Sequence, residues 1–430
     1  MAGCEAAWQL LQRGIPVILH EMRPDTQTAA HHTGRLAELV CSNSLRSDRI
    51  ENGVGLLKEE MRLLGSLIME AADHTRVPAG GALAVDRDSF SGYLENKLSC
   101  HPGFTLVREE VSGIIPDLPL IIAAGPLCSE ALSESIKSYL GGSQLYFYDA
   151  AAPIVFHDSL DHGTIFRASR YDRGSDYLNC PMNREEYLRF YEALVNAERV
   201  ERREFEKGEL FSGCMPVEEM ARKGEDTLRF GPLKPVGLTD PRTGETPYAV
   251  VQLRQDDSAG TLYNLVGFQT NLKHPEQKRV FGMIPGLADA RFARYGVMHR
   301  NTFIHSPGLL SPNYRVKDET RPLYFAGQIT GVEGYVESAA SGLAAGLSMA
   351  MEIMGQSFTG FPAETMLGAM GRYVSGYAGK DFQPMNANFG LLPPLGEKIR
   401  KKKERKEAYA RRSLGQIESI AEQIEGGNCP

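Results

Sequence analysis

Long apolar runs are missing from this 430-residue chain, and its hydrophobic stretches are short and broken by glycine or charge. That excludes a membrane-spanning helix, which needs about 20 consecutive apolar residues. The opening Met1-Ala2-Gly3-Cys4-Glu5 lacks the basic-then-apolar grading of a secretory leader. Paired cysteine motifs are missing too. Cys4, Cys41, Cys100, Cys128, Cys180, Cys214 and Cys429 are scattered with no C-x-x-C spacing. Neither a metal site nor a disulfide framework is therefore expected, and free thiols in a reducing cytosol fit the pattern. Internal repeats and low-complexity tracts are also lacking. So is an excess of positive charge: the formal net charge is -7, which argues against non-specific nucleic-acid binding.

What is present is an uneven charge distribution. Residues 398–412 hold nine basic and two acidic side chains, a local +7 against -14 for the rest of the chain. A basic face near the C-terminus, including Lys398, Arg400, Lys401, Lys402 and Lys403, is the expected nucleic-acid-facing segment if the chain binds one; otherwise it is a solvated helix surface.

Hydrophobic periodicity predicts alternating helices and strands. Residues 4–13 read as a helix and 16–20 as a short buried strand ending at Glu21. Residues 56–73 carry apolar positions at helical spacing and predict one long amphipathic helix. A strand at 39–41 ends at Cys41; further strands are expected at 82–85 and 120–126, with a helix at 89–98 between them. Residues 247–255 and 261–269 flank a polar turn and predict an antiparallel hairpin. Residues 323–327 return to buried-strand character ahead of a Gly- and Ala-rich helix at 335–354. The expected fold class is α/β, a doubly wound, Rossmann-like domain with an inserted α+β domain. Its parts are expected at 1–150, 151–295 (the insertion), 296–360 and 361–430, the last a helical segment with the basic run.

Three sets of residues point to chemistry. Gly3, leading into a helix, and Glu21, 18 residues on after a strand, match the back half of a dinucleotide-binding fingerprint. In that motif backbone approaches a pyrophosphate and a carboxylate binds ribose hydroxyls. The first strand and first two glycines of the motif do not precede Gly3, so the expectation is an N-terminally truncated chain with weakened flavin binding. The second set is Gly327, Gln328, Gly331, Gly334 and Tyr335, where small residues at a strand–helix junction allow a flat ring to lie against backbone. Unpaired N–H groups at the helix start suit the pyrimidine edge of a flavin. The third set is two cysteines in distinctive settings, Cys41 in Leu39-Val40-Cys41-Ser42-Asn43-Ser44 and Cys214 in Gly213-Cys214-Met215-Pro216. A thiolate is the natural nucleophile for C6 of uracil; the alternative is that both are inert buried thiols, the commoner fate of cysteine.

The longer motifs closely resemble the folate- and FAD-dependent tRNA (uracil-5-)-methyltransferases. They are Ala30-His31-His32-Thr33, residues 38–47, 55–61 and 77–87, Gly213-Cys214-Met215-Pro216-Val217-Glu218, residues 327–342 and Asn386-Ala387-Asn388-Phe389-Gly390. The resemblance spans essentially the whole chain; a more distant one is to the flavoprotein that modifies the wobble uridine of tRNA. It implies a cytoplasmic enzyme that forms 5-methyluridine (ribothymidine) in the tRNA T-loop. The implied cofactors are FAD, 5,10-methylenetetrahydrofolate as carbon donor and NADH or NADPH as reductant, with tRNA the macromolecular partner. By motif, Cys214 is the implied nucleophile toward uracil and Cys41 the second functional thiol, near the flavin. The alternatives are a catalytically impaired tRNA-binding flavoprotein relative and an ordinary flavin oxidoreductase, which would need neither thiol.

Overall fold

The computed structural model describes residues 1–28, 30–141, 144–172, 174–200, 215–379, 382–396 and 398–425. Seven strands frame the site: β1 (Val17–His20), β2 (Phe104–Val107), β3 (Leu120–Ile122), β4 (Ala249–Gln255), β5 (Leu262–Leu265), β6 (Met298–Ile304) and β7 (Leu323–Phe325). Five helices matter most: α1 (Ala2–Leu11), α2 (Gly53–Leu63), α3 (Tyr335–Ile353), α4 (Met366–Gly376) and α5 (Lys402–Glu425).

The first part of the molecule is built on parallel pairs, as the alternation of strand and helix predicts. β1 pairs with β2 from Val17↔Phe104 to His20↔Val107, and β7 with β3 from Leu323↔Leu120 to Phe325↔Ile122. Among the described residues no ladder joins the two ribbons. The start of α1 lies across the gap: a Cβ added at Gly3 would stand 3.5 Å from Ala123 Cβ and 4.0 Å from Leu19 Cδ1.

Behind the ribbons α1 packs on α3, and small residues decide how closely. Gly342 and Gly346 of α3 face the backbone of α1, where a Cβ on Gly346 would come within 2.6 Å of the Ala6 carbonyl oxygen. The contact is backbone on backbone, which alanine- and glycine-rich helices permit. Around it lies a large core that includes Leu56, Leu57 and Met61 of α2, Leu343 and Leu347 of α3, and Ile417 of α5.

A second core draws on residues 152–290 alone. It covers one face of a six-stranded antiparallel sheet in the order Phe292–Arg294, Ile154–Phe156, β5, β4, Tyr177–Met182, Phe166–Arg167. The β4–β5 pair is the expected hairpin, and its turn is closed by Asp257, which accepts from the backbone N–H groups of Thr261 (2.8 Å) and Leu262 (3.0 Å). β6 pairs antiparallel with Gln144–Ala150 and carries the chain back toward the first part.

Two local expectations fail. The helix predicted over 56–73 is two helices, α2 and Leu67–His74, because Ser66 caps the second by accepting from Met69 N–H. Residues 39–41 form no strand; the strand there is Ser44–Ser47, in a small antiparallel sheet with Ala82–Val85 and Arg76–Val77.

Candidate active site

A cavity of about 870 Å³ runs between the two parallel ribbons and along the second sheet. Gly3, Glu21, Cys41, Gly327, Gln328, Gly334 and Tyr335 all line it. Gly331 does not: it faces the Phe382 ring, 2.5 Å from where its Cβ would be, so it serves close packing.

At one end Glu21 follows β1. Arg23 donates to both of its carboxylate oxygens, at 2.9 and 3.0 Å, and also to Glu38 Oε2 at 3.0 Å and to the carbonyls of Thr33 and Arg35. Burial pushes the Glu21 carboxyl up, but the hydrogen bonds and charge of Arg23 outweigh it and hold it below the usual carboxylate range. Glu21 is therefore an anion with lone pairs to spare, able to accept from vicinal hydroxyls. Nearby His31 is brought down to about 4 by burial and the Arg23 charge, so it stays a neutral ring at neutral pH.

In the middle, the turn after β7 delivers the chain to α3. Gly334 has φ 111°, a conformation that favours glycine, and it immediately precedes the helix. The first intrahelical bond is from Ser338 N–H to Gly334. The N–H groups of Tyr335, Val336 and Glu337 thus have no partner within the helix, and Tyr335, Val336 and Ser338 line the cavity. Buried Glu337 fixes this junction by pairing with Arg46 and accepting from Ala387 N–H at 2.8 Å.

Cys41 lies where the two parts of the molecule meet. Its backbone N–H donates to the Tyr335 hydroxyl at 2.8 Å, and its Sγ is 3.0 Å from the same oxygen. Burial raises the Tyr335 phenol well above its ordinary value, so it remains protonated. Three arginines hold the loop that a strand was expected to form. Arg87 donates to the Leu39 carbonyl and to Asp256 at 2.7 Å; Arg254 donates to Asn43 at 3.0 Å and to Ser42 Oγ at 2.7 Å; Arg294 reaches the Cys41 carbonyl at 3.4 Å. Arginine side chains from a helix start and from the six-stranded sheet, rather than a ladder, hold this loop.

Cys214 lies outside the described residues. The chain just beyond it is anchored at the cavity, since Val217 N–H donates to the carbonyl of Gln269, a lining residue, at 2.7 Å. The basic residues Lys398, Arg400, Lys401, Lys402 and Lys403 are exposed at the start of α5 and do not line the cavity. Among the described residues no cluster of three metal-ligating side chains occurs, and no helix is long and apolar enough to cross a membrane.

Sequence reasoning missed Arg87, Arg254, Asp256, Arg294, Asn264 and Asn301. One signal was available: Arg254 interrupts the buried run of β4, where a charged side chain must find a partner.

The cavity fits a dinucleotide of the FAD type. It is long, has a carboxylate for ribose at one end, passes the start of α1, and ends at unpaired N–H groups beside a thiol.

The family described as glucose inhibited division protein A matches residues 1–357. A protein of Listeria monocytogenes (serotype 4b) named methylenetetrahydrofolate–tRNA-(uracil-5-)-methyltransferase TrmFO is 59% identical over 425 residues, 99% of this chain and 98% of its own. Proteins of the same name are 61% identical over 419 residues in Heliobacterium modesticaldum (97% and 95% covered) and 59% identical over 425 residues in Bacillus velezensis (99% and 97%). Among solved structures, Aquifex aeolicus GidA in one crystal form superposes with a TM-score of 0.71 at 14% identity, covering 98% of this chain and 72% of that one. That likeness establishes a shared mixed α/β fold.

Proposed function

This chain belongs to the glucose inhibited division protein A family, and we propose that its cavity is the active site in which FAD and a folate serve methylation of uracil in tRNA. The protein is a folate-dependent tRNA (uracil-5-)-methyltransferase, the activity its full-length relatives are named for. The observation that carries the site assignment is the convergence of Glu21, the start of α1, the unpaired N–H groups of α3 and Cys41 on one cavity.

FAD supplies electron transfer and methylenetetrahydrofolate the carbon; NADH or NADPH is the reductant in this reading, and the product is 5-methyluridine in the T-loop. The chain's own residues divide the remaining work. Glu21, kept ionised by Arg23, binds ribose hydroxyls. The first turn of α3 donates N–H groups to the electron-rich edge of the ring. Tyr335 holds Cys41 in place through both its backbone N–H and its sulfur. Cys214 attacks C6 of uracil, forming an S–C bond and leaving C5 carbanion-like; C5 would then bond to the carbon that the folate supplies, and loss of the C5 proton would expel the thiolate and restore the ring. The basic start of α5 contributes phosphate contacts, and the working compartment is the cytosol.

The direct test compares wild type with Cys214→Ala. The variant should lose methyl transfer and lose covalent trapping of tRNA bearing 5-fluorouracil, while binding FAD as wild type does. Methylation at a near-normal rate, or continued trapping, would remove Cys214 from this role.

A further inference from the structure

Asn301 of β6 is fully buried, lines the cavity, and has hydrogen-bond partners for neither its side-chain nitrogen nor its side-chain oxygen. Asn264 of β5 is 3% exposed, lines the same cavity, and leaves its side-chain nitrogen without a partner. Buried polar groups are nearly always satisfied, because an unpaired amide loses its water without compensation. Other buried amides nearby follow the rule: Asn43 donates to the carbonyls of Val85 and Gln255, and Asn179 to those of Phe166, Ala168 and Tyr177. Two unsatisfied amides facing one cavity therefore mark where a ligand completes the hydrogen bonding.

Their chemistry defines that ligand's edge. Asn301 offers a donor beside an acceptor, and because both atoms are unpaired this holds whichever way its amide is turned. Asn264 adds a second donor. The complement of the Asn301 amide is a lactam, in which a ring N–H meets its oxygen while the adjacent carbonyl accepts from its nitrogen.

Position selects among rings that carry such an edge. In the functional reading above, the flavin edge is served by the first turn of α3, whose Tyr335, Val336 and Ser338 line one wall of the cavity. Asn264 belongs to the second sheet, beside Arg254 of β4, and Asn301 to the strand that returns from it. Thr302, next in the chain, is fixed by its N–H to the Pro126 carbonyl at 2.9 Å, so Asn301 is held by backbone on a rigid element. A uracil arrives on a macromolecule and must enter from outside. A small carbon donor has to lie within the cavity beside the flavin.

We propose that Asn301 and Asn264 bind the lactam edge of the pterin ring of the folate donor and so set specificity for it. The assignment rests on the reading of the chain as a folate-dependent methyltransferase.

The test is equilibrium titration with tetrahydrofolate at saturating FAD, and separately with FAD, for wild type, Asn301→Leu and Asn264→Leu. Leucine nearly preserves volume and removes the polar atoms. Tetrahydrofolate affinity should fall about ten- to a hundredfold in Asn301→Leu and up to about tenfold in Asn264→Leu, with FAD affinity within about twofold of wild type. Without ligand, the melting temperature of each variant should be unchanged or higher, since an unpaired buried amide is gone; a merely structural asparagine would give the opposite sign.

Unchanged tetrahydrofolate affinity in both variants overturns the proposal. Loss of FAD affinity in its place would assign the amides to the flavin and overturn it too. Failure of wild type to bind tetrahydrofolate while binding FAD would bring down the functional reading itself.

Discussion

Glu60 of α2 is a carboxyl group with no exposed surface, placed at the start of α4, where it accepts from Met366 N–H at 2.7 Å and Leu367 N–H at 2.9 Å and pairs with Ser413 of α5. Burial raises it to about 7 despite those hydrogen bonds. A carboxyl raised in the folded state binds a proton that the unfolded chain has released, so its contribution to stability is complete below about pH 4.5 and is lost as pH rises through about 7. The shift corresponds to at most about 3 kcal/mol. Glu60→Gln should flatten the fall in unfolding free energy between pH 5 and 8, measured by urea denaturation at each pH; an unchanged slope would show that other groups produce it. Legibility at this scale divides by cause. Glu21, Cys41, Gly327 and Tyr335 were legible as candidates because backbone-determined motifs carry them, and all four line the cavity. Asn264, Asn301, Arg87 and Arg294 carry no such motif, because they reach the cavity or the Cys41 loop only when segments far apart in sequence are packed together.

The contact between α1 and α3 depends on residues with no side chain to spare. α1 and α3 approach until Gly346 meets the Ala6 carbonyl, so Gly346→Leu must either bend α3 or push α1 toward the cavity. Overpacking of this kind costs about 1–3 kcal/mol, and FAD affinity should fall with it because α1 opens on the cofactor cavity. Calorimetric melting and FAD titration of the variant would check both; wild-type values for the two would show that α3 adjusts without moving α1. The Gly- and Ala-rich character of residues 335–354 announced a buried helix correctly. The continuous helix expected over 56–73 failed for a physical reason: Leu63, Leu64, Leu67 and Ile68 keep the apolar rhythm across a break imposed by the Ser66 cap. The strand expected before Cys41 failed because side-chain hydrogen bonds replace a ladder there.

Over the whole molecule, charge is separated: the start of α5 is basic on a chain that is otherwise acidic. Lys401 and Lys403 are partly neutralised by Glu404 (2.7 Å) and Glu407 (3.7 Å), whereas Lys398, Arg400 and Lys402 form no ion pair among the described residues. Replacing those three by alanine should lower the slope of log tRNA affinity against log salt by up to about 2.7, at about 0.9 per phosphate contact. An unchanged slope would make this a solvated surface. The alternation of strands and helices revealed the α/β class, and the fold is shared with a protein only 14% identical in sequence. The two parallel ribbons have one further consequence, and it concerns time rather than shape. Val17 and Glu21 direct their N–H groups to β2, and Leu120 directs its own toward Pro322 beside β7. By the alternation of a strand, the amides of Ile18 and Ile121 point the other way, into the gap between the ribbons. Deuterium should therefore replace hydrogen at Ile18 and Ile121 orders of magnitude sooner than at their immediate neighbours, giving each strand one fast edge and one slow edge. Equal exchange rates along β1, read amide by amide, would mean that the gap is closed in solution.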